Sequence, residues 1–191
     1  EREGSRAAYA RMEAGATGAP DQLSEKEHAF IAARDSFYIA SVTATGWPYV
    51  QHRGGPPGFL RPLPGNRLGF ADYRGNRQYV STTNLADEPR VSLFLLDYPN
   101  KRRLKILGTA QIVELDADPA LITALMTGDY NAVPERAFVI DVVGFDWNCP
   151  QHITPRFTEA EVARAVQPLT AELTRLRAEN ETLRHQLAKE N

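Results

Sequence analysis

VSLFLLD (residues 91–97), YPN (98–100) and RRLKILGTAQIVEL (102–115) are the segments whose reading decides the fold. The first is a short, dense apolar run without helical spacing, as expected of a buried strand. Tyr98-Pro99-Asn100 is turn chemistry. The third alternates, with Leu104 and Ile106 on one face and Arg103 and Lys105 on the other, so it reads as one long strand. Two strands joined by a tight turn make an antiparallel hairpin, and the same grammar recurs on either side. Upstream, SFYIASVTA (36–44) and WPYVQHR (47–53) flank Thr45-Gly46, and FLRPL (59–63) and LGFAD (68–72) flank Pro64-Gly65-Asn66. Downstream, AFVIDVVGFDW (137–147) is the last strand.

Helical signals fall between the strands or outside them. Ser24 with Glu27 forms a capping box that starts a helix running to about Arg34. Gly75-Asn76 precedes a helix expected from Arg77 to about Leu85, stopped by Pro89, and Asp118-Pro119 opens a short one over ALITALM (120–126). A further short helix is expected around Arg6 to Glu13. Hairpins with few helices predict a mainly β chain, an antiparallel split β-barrel rather than a parallel α/β sheet. Three regions result: residues 1–23 as a helical arm and linker, 24–157 as the barrel, and 158–191 as a C-terminal helix.

That last segment has a heptad seam. Leu173, Asn180 and Leu187 take position a, while Leu169, Leu176 and Leu183 take d. Glu172 and Glu179 fall at g, Arg177 and Arg184 at e, so each glutamate meets an arginine of a parallel partner. The segment is expected to form a parallel coiled coil between two copies, begun by Pro168. A single amphipathic helix lying on the barrel is the plainer alternative, but it needs neither Asn180 nor matched charges.

Composition narrows the function. The 191 residues are 42 % hydrophobic and 24 % charged with a net charge of −2, which gives no electrostatic case for nucleic-acid or membrane binding. No apolar run reaches the length of a membrane span, and no signal-peptide stretch stands at the start. With Cys149 the only cysteine, no intrachain disulfide forms, and a cytoplasmic location is expected.

No glycine-rich phosphate loop, GxSxG elbow or metal-ligand cluster is present. Cys149 and His152 offer too few ligands for a closed zinc site, and a lone loop thiol is the better reading. Charged and polar residues on strands are more informative. Gln51 and Arg53 share one strand face and His52 takes the other. Arg74, Arg77 and Gln78 flank a helix N-terminus, where free amides and guanidinium forks suit a phosphate. Lys101, Arg103 and Lys105 line one strand face.

Five segments in order, GWPYVQHR, LGFADYRGNRQ, DEPRVSLFLLDYP, RRLKILGTAQIVE and FDWNCPQHITPRF, resemble the FMN-binding split-barrel family of the pyridoxamine 5′-phosphate oxidase type. The resemblance covers about residues 36–157. It implies a six-stranded barrel that dimerises with two FMN molecules at the subunit interface. By the same resemblance, Gln51, His52 and Arg53 run along the flavin, Asp72 lies near the phosphate, and Arg77 and Gln78 start the phosphate-binding helix. Arg103 falls where the partner subunit reaches the ring, and Trp147 and Arg156 lie on the segment closing over it. The oxidases carry arginine at Gln51, lysine at Gln78 and lysine near Pro56, and their substrate-binding stretch is longer. These departures keep FMN binding and speak against oxidation of pyridoxamine phosphate.

The expected activity is FMN-dependent oxidoreduction, with hydride transfer at the flavin, a nicotinamide donor and a small-molecule substrate. Arg53, Arg103 and Lys105 would supply positive charge to the reduced ring, and His152 is the one candidate base. A flavin carrier or sensor without turnover is the second reading. Haem binding through His152 or His52 is the third.

Overall fold

The structure, a computed structural model, describes residues 19–74, 80–128, 130, 132–147 and 150–190. Arg77, Gln78, Cys149 and the helix expected over Arg6 to Glu13 lie outside the described residues. The chain forms two compact units. One holds the residues up to Asp97 and Lys101–Ile153; the other holds Tyr98–Asn100 and the chain from Thr154 onward.

The first unit contains seven strands: β1 (Ser36–Val42), β2 (Pro48–Gly54), β3 (Arg61–Leu63), β4 (Arg67–Tyr73), β5 (Arg90–Asp97), β6 (Arg102–Glu114) and β7 (Pro134–Trp147). They form one sheet in the order β2-β1-β5-β6-β7-β4-β3, with every neighbouring pair antiparallel. The family resemblance implied six strands. The seventh is β3, the three residues that FLRPL contributes before the Pro64-Gly65-Asn66 turn. The backbone ladder does not close between β2 and β3, so the barrel is split.

The alternation read from the sequence sorts the two faces. Phe37 and Ile39 of β1, Leu93 and Leu95 of β5, Leu104 and Ile106 of β6, Phe70 of β4 and Phe138 of β7 are fully buried. Phe70 stacks on Phe138 at 4.9 Å between ring centroids and meets Phe37 edge-on at 5.4 Å. Complete burial of each such side chain contributes about 1.5–3 kcal/mol. Gly108 marks the place where β6 shifts register against β7. A Cβ there would sit 2.5 Å from the Asp141 carbonyl oxygen, so no larger residue fits without moving a strand.

Helix α1 (Glu25–Ala32) begins at the expected capping box. The Ser24 amide and hydroxyl both donate to Glu27, and the Lys26 amide donates to the Ser24 hydroxyl. Helix α2 (Val80–Asp87) follows β4, and α3 (Pro119–Leu125) is capped by Asp118, whose carboxylate accepts from the Leu121 amide at 2.9 Å. Asn66, in a left-handed turn (φ 59°), ties three elements together. Its amide donates to the carbonyls of Asp21 and Val142, and its side-chain oxygen accepts from the Leu23 amide.

The second unit contains α4 (Glu159–Glu190), 32 residues long. Its bounds lie within a residue of the C-terminal helix expected over 158–191, and Pro168, expected to mark the start of the coil, lies inside it. Proline removes one backbone donor, which normally bends or breaks a helix. No helix among the described residues is long and apolar enough to cross a membrane.

Glu27 sets a pH dependence. Burial pushes its carboxyl up. Hydrogen bonds from the Ser24 side chain, the Trp147 indole and the backbone outweigh this and leave it below the ordinary 4.5. A depressed value means that Glu27 adds stability above pH 4.5 and loses it as pH falls through the native value. We predict that Glu27→Gln costs about 1–2 kcal/mol in urea unfolding at neutral pH, with the difference from wild type shrinking below pH 4.5.

Candidate functional site

The polar residues of the inner face gather at one end of the barrel. Gln51 and Arg53 project from β2 to the same side as Ile39 and Phe37, their cross-strand partners on β1. Arg53 Nη1 donates to Asp72 Oδ1 at 2.7 Å, and the two side chains retain only 18 % and 11 % exposure. The Arg53 guanidinium also stands 5.1 Å from the Phe138 ring centre and 5.7 Å from that of Phe70. Arg136 of β7 approaches the other Asp72 oxygen at 4.0 Å and Glu114 of β6 at 3.7 Å.

Burial dominates the Asp72 carboxyl and pushes it above the ordinary 3.8, against the pull of Arg53 and Arg136. The sign is opposite to that of Glu27. Native Asp72 takes up a proton before the unfolded chain does. Its contribution is therefore full below pH 3.8 and falls as pH rises through the native value.

Helix α2 is fastened to this end by two polar contacts. The Ser81 hydroxyl donates to Gln51 Oε1 at 2.7 Å, and Asn84 Nδ2 donates to the Ser41 hydroxyl of β1 at 2.9 Å. Ser81, Asn84 and Ser41 are buried. Gln51 therefore lies against the first turn of α2, where helix geometry leaves amide donors without intrahelical partners. The segment holding Arg77 and Gln78 leads directly into this turn. Arg53 Nε is buried and has no hydrogen-bond partner among the described residues. A cationic side chain with a spare buried donor, beside Gln51 and near a helix start, fits an anionic ligand carrying several acceptor oxygens.

The other expected residues lie elsewhere. The register places Tyr38, His52, Phe94, Lys105 and Asp146 in one row across β1, β2, β5, β6 and β7, on the outer face of the sheet. There His52 is exposed and meets Tyr38 edge-on at 5.5 Å. Arg103, opposite Leu96, shares this face, and its Nε is buried without a hydrogen-bond partner among the described residues. Val50 and Trp47 leave 60 % and 73 % of their surface open nearby in the chain.

Trp147 is held by α1 and its surroundings. Its indole donates to Glu27 Oε1 at 2.7 Å, meets Phe30 edge-on at 4.7 Å and carries the Lys26 and Arg102 cations over its ring. His152 is exposed, with left-handed backbone (φ 63°). Arg156 belongs to the second unit, where its guanidinium stands 4.9 Å from the Tyr98 ring centre. Sequence reasoning missed Ser41, Ser81, Asn84, Glu114 and Arg136. For Ser81 and Asn84 a signal existed: polar residues three apart share a helix face, and here that face also carries buried Leu85.

A family model described as pyridoxamine 5′-phosphate oxidase matches residues 23–142. The chain belongs to that family. The matched span of this pyridoxamine 5′-phosphate oxidase-family chain includes β1 to β6, α2 and the whole Gln51–Arg53–Asp72 cluster. Among solved structures, HupZ of Group A Streptococcus has a TM-score of 0.54 at 15 % identity, over 71 % of this chain and 100 % of that one. An FMN-binding protein from Syntrophomonas wolfei subsp. wolfei has a TM-score of 0.51 at 13 % identity, over 65 % of this chain and 85 % of that one. At such identities the likeness is one of fold. No curated protein matches the chain.

The anchoring of α2 is directly testable. Asn84→Ala leaves the buried Ser41 hydroxyl without its donor and should cost about 1–3 kcal/mol. Ser41→Ala combined with Asn84→Ala should recover part of that loss, as read by denaturant unfolding.

Proposed function

We propose that the barrel binds FMN and serves as an FMN-dependent oxidoreductase. The observation that supports this best is the inner-face cluster. Arg53 with a spare buried donor, Gln51 and the first turn of α2 converge in a chain of the pyridoxamine 5′-phosphate oxidase family. In this reading the α2 start, together with Arg77 and Gln78, holds the phosphate, and Asp72 keeps the Arg53 fork oriented through its 2.7 Å bond. FMN, when bound, supplies hydride and single-electron chemistry. The protein's part is to bind, orient and place positive charge. Arg103 and Lys105 present that charge on the outer face, beside apolar Phe94 and Leu96.

That outer face argues for a second barrel. It carries Tyr38 and Val50 exposed in the single chain, with Phe94, Leu96 and Leu107 only half-buried. A second copy laid against it would bury them and bring one chain's Arg103 and Lys105 to the other's flavin, as the family resemblance implies. The departures at Gln51 and Pro56 fit a reductase better than a vitamer oxidase, and the reading takes a nicotinamide as donor and a small molecule as substrate.

Denaturing the purified protein and identifying what it releases tests the cofactor. FMN is expected; FAD or haem would contradict the reading. Anaerobic bleaching of the bound flavin by a nicotinamide would support turnover, and a flavin that stays oxidised would leave a carrier or sensor. Replacing Arg77 by alanine should weaken FMN retention roughly tenfold to hundredfold, the value of a charge-assisted phosphate contact. Light scattering on a chain ending at residue 157 should still report a dimer.

A further inference from the structure

Helix α4 begins at Glu159, ten residues before Leu169, the first residue of the expected seam, and runs through Pro168, which lengthens the seam. Carried back in register, position a adds Val166 and position d adds Val162. The eight successive a and d positions from Val162 to Leu187 are then Val, Val, Leu, Leu, Leu, Asn, Leu and Leu. Pro168 falls at position c, on the side away from this stripe. Its missing donor therefore lies where water reaches the freed Arg164 carbonyl, and the helix continues.

The width of the stripe identifies what covers it. A helix packed on a globular core needs a third apolar position per heptad, at e or g, whereas a coiled-coil seam uses a and d alone. In α4 the e positions are Ala163, Thr170, Arg177 and Arg184, and the g positions are Ala165, Glu172, Glu179 and Gln186. None is a large apolar residue. The seven apolar residues of the stripe are 43–71 % exposed in the single chain, so the chain itself does not cover them.

Charge selects the occupant. We propose that the stripe from Val162 to Leu187 is the interface with a second copy of this chain, packed parallel and in register as a two-stranded coiled coil. In that arrangement Glu172 faces the partner's Arg177, and Glu179 faces the partner's Arg184. An antiparallel pair would set g against g and e against e, bringing glutamate to glutamate and arginine to arginine. Sliding by one heptad would leave Asn180 facing leucine and lose an ion pair at one end. Arg175, at position c, holds both glutamates of its own chain, at 2.8 Å to Glu172 and 3.0 Å to Glu179, and so keeps the two carboxylates on the flank of the seam. This proposal does not rest on the flavin reading.

Cysteine cross-linking in the full chain tests it. With Cys149→Ser in the background, Leu176→Cys and Leu183→Cys each place a thiol at a d layer, where the same residue of two parallel chains meets. Arg175→Cys places one at position c, facing outward. A disulfide needs Cα atoms within about 7 Å. Mild oxidation of dilute protein should convert both d variants to species of twice the chain mass, an order of magnitude faster than the c variant. Two seam positions keep the test decisive if one variant expresses poorly. Equal rates at c and d, or thiols that stay free at both seam positions, would overturn the proposal.

Discussion

The 2.7 Å bond between Arg53 and Asp72 joins strands that stand first and sixth in a sheet of seven. Among the described residues no backbone ladder links β2 to β4, and the ion pair bridges them through side chains. Beneath the ion pair, Phe37 of β1 meets Phe70 of β4, and Phe70 stacks on Phe138. The apolar contacts supply most of the free energy of closure, and the ion pair fixes where closure occurs. A buried guanidinium and carboxylate tolerate little displacement, because each is costly to leave unpaired at low dielectric. The position of β2 then determines where Gln51 stands, and Gln51 in turn receives Ser81 and fixes the start of α2.

One interaction therefore links fold to site. Closing the barrel through Arg53 uses one of its terminal nitrogens and leaves Nε buried without a partner among the described residues. A purely structural bridge would satisfy the whole fork. The remaining donor, the amide of Gln51 and the helix start form a place where negative charge is favoured. The outer face follows different chemistry, with exposed aromatic and aliphatic residues interleaved with Arg103, Lys105 and His52. The strict alternation of β1, β2, β5 and β6 allows one sheet to carry both.

Much of this was legible in the sequence. Alternation in RRLKILGTAQIVEL and the turns at Thr45-Gly46 and Pro64-Gly65-Asn66 gave the hairpins, and Ser24 with Glu27 gave α1, because these signals are local. The count of six came from the family resemblance; the seventh strand, three-residue β3, is the first arm of the hairpin at Pro64-Gly65-Asn66. Gln51 and Arg53 were placed correctly on one face with His52 on the other, which period two alone determines. Their partners were hidden: Asp72 is 19 positions from Arg53 and Ser81 is 30 from Gln51, and nothing local records such distances. Pro168 was read as the start of the seam because proline usually ends or starts a helix; its place on the outer side of a heptad makes it tolerable inside one, so the helix and its apolar stripe extend further back.

The central claim is that Arg53 and Asp72 act as one unit that closes the split barrel. A double-mutant cycle measures this directly, using urea unfolding of wild type, Arg53→Ala, Asp72→Ala and the pair at neutral pH. Asp72→Ala leaves the Arg53 guanidinium without its carboxylate, and Arg53→Ala leaves buried Asp72 facing the more distant Arg136, so the singles should each cost about 3 kcal/mol and the double much less than their sum. A coupling of about 2–3 kcal/mol is the predicted result. A coupling under about 0.5 kcal/mol, the level of an exposed pair, would contradict the account.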